Sequence, residues 1–315
     1  MRFIFIFILI TIPTILLADN KKIITSIRPL QSIIANITDG SKDIGLIIEQ
    51  NESLHNYHLT PDKILEINSS DIIIMIDDEF EIFMNKVLGR LDSNHFVIKV
   101  AKLPKVKLLK NQEHDHEHSH EDEDEHDHSH EHEHDHQHCH HLSEYDYHLW
   151  LDVDVVKNIA EQVTKILSKK IPQDAELYKQ NLEIFIEKLN ELDQNIKAKT
   201  ASLANKKFIV THNAYDYYIN RYGFQTPLPL TIDHNSNIGA LDLLNLQNSI
   251  ASNKIDCIFE EPQFDSNIIS KLKQNSKVKI SKLDAEWGPE GTSVKDSYFA
   301  MMNTLTNSFY NCLAN

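Results

Sequence analysis

Between Asp174 and Leu203 the chain has neither glycine nor proline, and Leu177, Ile184, Phe185, Leu189, Leu192 and Ile196 recur at the spacing of one helix face. Pro172, followed by Gln173 and Asp174, suits the first turn of such a helix. At 1.5 Å per residue, a helix over 172–203 would be about 45 Å long, enough to cross a whole domain. A rod of that length limits everything else: it must be the strut of the molecule, with a body of structure on either side. The expected organisation is a first lobe over 19–170, a linking helix over 171–203 and a second lobe over 204–315.

Both lobes read as alternating strands and helices. In the first, IITSI at 23–27 is a β-branched run, and Pro29 opens a helical pattern carried by Leu30, Ile33, Ile34 and Ile37 that Gly40 stops. DIGLIIEQ reads as a strand, TPDKILEINSS as a short helix, EIFMNKVLGRL as a helix and HFVIKVA as a strand. DIIIMID, at 71–77, is a continuous apolar run bounded by acids, the pattern of a strand buried on both faces of a parallel sheet. In the second lobe KKFIVTH, KIDCIFEE and KVKISKLD read as strands, with helices at NAYDYYINRYG, LDLLNLQNSIASN, from about Phe264, and at DSYFAMMNTLTNSFYNCL. The fold class is therefore α/β: two lobes, each with a mainly parallel sheet flanked by helices, joined by one long rigid helix. With 7 glycines and no GxGxxG or GxxxxGK, nothing points to a nucleotide.

The first twenty residues follow another logic. Arg2 precedes an apolar run over 3–17, and small Ala18 precedes polar Asp19 and Asn20. This is the layout of a secretory signal, cut near residue 18, and the run is shorter than the roughly 20 residues that span a bilayer. A periplasmic location is expected. In that oxidising compartment Cys257 and Cys312 are the natural disulfide pair, the alternative being two buried thiols.

The third cysteine, Cys139, lies in HDHEHSHEDEDEHDHSHEHEHDHQHCHH, which starts at His114. That run holds His114, His116, His118, His120, His126, His128, His130, His132, His134, His136, His138, His140 and His141, thirteen of the nineteen histidines. Twelve acids lie over 113–135, so most of the net charge of −16 belongs to this segment. Without apolar periodicity it cannot bury enough surface to order itself, and 109–142 is expected to be a mobile surface loop. The acidic balance excludes nucleic acid as a partner and fits a cation as ligand.

Six histidines remain. Three follow strands or the acidic loop: His55 in NESLHNYHLTP, His148 in YDYHLWLD, and His212 at the end of FIVTH. Ligands of open α/β sheets bind beyond the carboxyl ends of strands. Asp284 closes ISKLD in the same manner. Neutral imidazoles with one carboxylate suit zinc and could also hold manganese. Histidine ligation makes binding weaken as pH falls through about 6, where protons compete.

These motifs, taken in order, resemble the periplasmic zinc-binding proteins of ABC uptake systems, the ZnuA-like group within the metal-specific solute-binding family. TSIRPLQSIIANITDG is similar to the family's opening strand and helix. HNYHLTPDKI matches H-x-Y-x-x-x-P at His55, Tyr57 and Pro61; HLWLD carries His148, and THNAYDYY carries His212. CIFEEPQF with a late cysteine matches the disulfide-bearing segment. The resemblance covers nearly the whole mature chain. It implies a zinc ion held between the lobes by His55, His148 and His212, and delivered to an inner-membrane ABC permease by a monomeric receptor. Asp284 or water is the fourth ligand, because Leu54 stands where some zinc members place a glutamate. His58 is an alternate to His55. The histidine run is expected to gather zinc weakly at auxiliary sites. Two alternatives stay open: a manganese receptor of the same fold, or a secreted zinc hydrolase using Glu260 or Glu261 as base, although no H-E-x-x-H helix is present.

Overall fold

A computed structural model of the chain describes residues 21–50, 52–111, 143–231, 240–252, 254–262, 266–273 and 276–314, and His55 in its backbone alone. The first lobe is a four-stranded parallel sheet of β1 (Ile23–Thr25), β2 (Ile44–Leu46), β3 (Ile72–Met75) and β4 (Phe96–Lys99), in the order β2-β1-β3-β4. Its strands are short. β1 and β3 are buried at every position, which is why their apolar runs do not alternate with polar residues. Between the strands lie α1 (Arg28–Thr38), α2 (Pro61–Asn68) and α3 (Asn85–Leu88). The helix expected at EIFMNKVLGRL is a 3-10 turn, Ile82–Met84, that runs into the four residues of α3 before Gly89.

A small antiparallel pair, β5 (Leu109–Lys110) with β6 (Tyr145–Asp146), brackets the histidine run. This corrects the expected loop at its start: Leu109 and Lys110 are strand residues, and the Tyr217 hydroxyl accepts the Leu109 N–H at 3.0 Å. The run itself, 112–142, lies outside the described residues.

Two helices then form the strut. α4 (Val153–Lys170) was unassigned from sequence, yet Val153, Val156, Ile159, Ala160, Val163 and Leu167 form a buried face at helical spacing. Asp152 caps it, accepting from Asp154 N and Val155 N at 2.7 and 3.4 Å. The predicted strut begins as a 3-10 turn, Pro172–Asp174, and continues as α5 (Ala175–Thr200), about 39 Å long at 1.5 Å per residue. Its buried face is Tyr178, Phe185, Leu189, Leu192 and Ile196; Leu177 and Ile184 lie outside it, exposed.

The second lobe repeats the first. β7 (Phe208–His212), β8 (Leu228–Thr231), β9 (Cys257–Glu260) and β10 (Lys279–Lys282) form a parallel sheet in the order β10-β9-β7-β8, with α6 (Asp216–Tyr222), α7 (Ala240–Ala251) and α8 (Ser266–Lys273) between them and α9 (Ser297–Leu313) closing the chain. Counted within its own lobe, each sheet reads 2-1-3-4, so each has a switch point at the carboxyl ends of its first and third strands. The Cys257–Cys312 disulfide, with Cα atoms 6.0 Å apart, ties β9 to the end of α9 as expected.

One hydrophobic core runs through both lobes. It includes Ile24, Ile33, Ile74, Trp150, Leu189, Phe208, Tyr298 and Phe309. α1, buried along almost its whole length, packs against α4, α5 and α9. A separate, smaller cluster lies on the outer side of the second sheet, where Ile209, Ile258, Leu246, Ile250, Ile269 and Leu272 meet. No helix among the described residues is long and apolar enough to cross a membrane.

Candidate metal centre

The second lobe's switch point brings His212 and Glu261 together. His212 is the last residue of β7, and Glu261 directly follows β9, the strand paired with β7. Both are almost fully buried. The Glu261 Oε1 accepts from the Thr211 hydroxyl at 2.8 Å and lies 2.9 Å from His212 Nδ1.

His148 arrives from the other half of the chain, just past β6, with the same arrangement. Its Nδ1 lies 2.7 Å from Oδ1 of Asp146, which also accepts the His148 backbone N–H at 2.9 Å. Asp146 and His148 are buried. Phe80 stands edge-on to the His148 ring at 5.3 Å, and the Trp150 ring lies 5.3 Å away on its own segment. The His148 and His212 rings are 5.4 Å apart between centroids, at 65°. Nδ1 of each ring thus lies against a buried carboxylate, the kind of outer partner that orients a metal-ligating imidazole.

Beyond β10, Asp284 Oδ1 accepts from the backbone N–H groups of Glu286 and Trp287, each at 2.9 Å. Burial raises the Asp284 carboxyl, and the charge of Glu261 raises it further. Burial pushes Glu261 up to about 7. Glu286 is pushed up to about 8 by burial and by the charges of Asp284 and Glu261. Three carboxyl groups, each raised by burial and two of them also by a neighbour's charge, form a region that a divalent cation would relieve.

Among the described residues, no group of three or more His, Cys, Asp or Glu side chains is gathered closely enough to hold an ion. The pair His148 and His212 is what the structure brings together. The backbone of His55 lies in a one-turn 3-10 helix, Leu54–Asn56, and its side chain is outside the described residues. That turn is anchored: Leu54 is buried, the buried Tyr57 donates to Ile47 O at 3.0 Å, and Pro61 starts α2 behind a Thr60 cap. His58 is exposed. The thirteen histidines from His114 to His141 lie outside the described residues.

Sequence reasoning missed the carboxylates behind the imidazoles and did not consider Glu286. An acid two residues before His148 was a legible signal for Asp146. Glu261 had been considered only as a hydrolytic base, but its oxygen holds Thr211 and His212.

A family model described as "Zinc-uptake complex component A periplasmic" matches residues 23–312. The high-affinity zinc uptake system protein ZnuA of Haemophilus influenzae is 32% identical, over 94% of this chain and 94% of its own length. Among solved structures, a crystal structure of ZnuA superposes with a TM-score of 0.76 at 20% identity, over 94% of this chain and 100% of the other. The periplasmic zinc-binding protein TroA from Treponema pallidum superposes with a TM-score of 0.77 at 21% identity, over 94% of this chain and 100% of its own.

Proposed function

The chain belongs to the periplasmic zinc-uptake component A family, and from that premise we propose that it is a receptor that captures one zinc ion between its lobes and delivers it to an ATP-driven membrane permease. The family is one of zinc uptake, so zinc is cargo and the chain is a binding protein, not an enzyme. The observation that carries the site is the matched pair of imidazoles. His148 and His212 come from opposite halves of the chain, their rings are 5.4 Å apart, and each has Nδ1 against a buried carboxylate.

In the proposed site, Nε2 of His148 and His212 bind zinc together with His55 from the first lobe, and the Asp284 carboxylate completes the set. Nitrogen-rich donation favours zinc over manganese, which prefers oxygen ligands. Glu261, one of the two bases offered for a hydrolase, instead holds Thr211 and His212. The ion's positive charge would also let Glu261, Asp284 and Glu286 ionise more readily.

The histidine run, His114 to His141, is assigned auxiliary capture: weak, interchangeable binding that raises zinc concentration near the cleft. Ordering a floppy segment costs entropy each time an ion binds, so its sites are weaker than a preformed one. Residues 1–18 are assigned as a cleaved signal that sends a monomeric receptor to the periplasm.

Zinc titration of four proteins tests the assignment: the wild type, His148→Ala, His212→Ala and a variant lacking 113–141. The tight one-to-one event should disappear from both alanine variants and persist in the deletion. Loss of that event on deletion, or its survival in both alanine variants, would place the transport site elsewhere.

A further inference from the structure

His148 belongs to the first half of the chain, but alternate residues of its segment make polar or ring contacts with the second lobe. The backbone carbonyl of Asp146 accepts from the Tyr217 hydroxyl of α6 at 3.2 Å. His148 faces His212, as described above. Trp150, fully buried, donates its indole N–H to the carbonyl of Ala285 at 2.6 Å, next to Asp284. The carbonyl of Trp150 accepts from the Tyr298 hydroxyl of α9 at 2.9 Å. Asp152 receives the Arg221 guanidinium at 2.9 Å, while Arg221 Nε reaches Asp193 of α5 at 2.7 Å. Residues 146, 148, 150 and 152 thus each meet the second lobe. Tyr147, between them, turns the other way and donates to Glu79 at 2.9 Å.

We propose that Trp150, Tyr217, Arg221 and Tyr298 are positioning residues for the zinc site: they fasten 146–152 to the second lobe and hold His148 at a fixed separation from His212. The two imidazoles are then one preformed half of the site and move as a unit. The seam, rather than the linking helix, sets how long the histidine pair stays in register. Removing a direct outer partner of a metal ligand typically changes affinity 10- to 100-fold, and these residues act one contact further out, through the backbone that carries His148.

This inference rests on the receptor reading, and the experiment separates the two. The mature full-length protein is loaded with half an equivalent of zinc, so that the tight site fills first, and dissociation into excess chelator is followed by stopped flow. The same loading with cobalt(II) gives a visible d–d spectrum that reports ligand geometry at the metal. The variants are Trp150→Phe, which keeps the ring and loses the N–H; Arg221→Lys, which keeps the charge and loses the fork; and Tyr298→Phe. Tyr178→Phe, on α5 and away from the site, controls for simple loss of stability.

Trp150→Phe and Arg221→Lys are expected to speed zinc dissociation at least about 10-fold, with association within about twofold, and to shift the cobalt band. Tyr178→Phe should lower the melting temperature and leave both readouts in place. If Trp150→Phe does not fold, Arg221→Lys and Tyr298→Phe carry the test. A tight ion whose dissociation the seam variants leave within twofold, with the cobalt band unmoved, would overturn the seam alone. A wild type with no tight ion would overturn the receptor reading and the seam with it.

Discussion

Asp146 and Glu261 do for the two imidazoles what no sequence motif specifies: each holds a ring's orientation from behind. Asp146→Asn keeps an acceptor and loses the charge, so zinc affinity should fall about 10-fold, while His148→Ala should remove tight binding. Competition against a chromophoric chelator measures both. Glu81 is a buried carboxyl of another kind. Its Oε2 accepts from the N–H groups of Ile76 and Asp77 at 2.7 and 3.1 Å, and burial pushes it up to about 8 from 4.5. Because its value is raised in the folded state, between pH 4.5 and about 8 the folded chain holds a proton that the unfolded chain releases. Its contribution to stability is therefore lost as pH rises through that window. Urea midpoints at pH 5 and pH 8 should differ less in Glu81→Gln than in the wild type. His148 and His212 stood out as candidates because one follows the acidic loop and the other ends a strand, and the family resemblance singled them out. Glu261 did not, because it lies 49 residues from His212 and reaches it only through the pairing of β7 with β9.

At the scale of elements, legibility followed how far local pattern agreed with the fold. β3 and α9 announce themselves, one by an unbroken apolar run between acids, the other by an uninterrupted helical pattern. β8 was missed because Leu228–Thr231 carries Pro229, which weakens any strand reading. As the last strand of its sheet, beyond β7, it can tolerate a proline. β5 is two residues long and gains meaning only from its partner across the acidic run. The disulfide joins elements far apart in sequence, 55 residues, so it should stabilise mainly by restricting the unfolded chain. Replacing both Cys257 and Cys312 by serine is expected to cost about 4 kcal/mol in urea denaturation, with zinc affinity little changed.

The whole molecule is two copies of one strand order on a shared core, and that sharing limits motion. Large hinge closure would have to part α1 from α9 and from the residues just before it, where Ser32 Oγ and Asn36 Nδ2 both donate to Lys295 O at 3.0 and 2.8 Å. Small-angle scattering of the apo and zinc-loaded protein should therefore give indistinguishable radii of gyration. A compaction of several ångströms on loading would contradict a rigid frame. The overall plan was readable in advance because a helix without breakers between two α/β patterns leaves few alternatives. The joining of the two cores was not, since it depends on which faces of α1, α4 and α5 meet.

The second sheet is clothed differently on its two sides. Phe208 and Val210 point into the common core, while Ile209, between them, points into the small outer cluster beneath α7 and α8. That outer layer holds few apolar partners and can open without disturbing the histidines on the opposite side. Amide deuteration should begin in α7 and α8 while β7 remains protected, so the protein would breathe along its flank and stay still at its cleft.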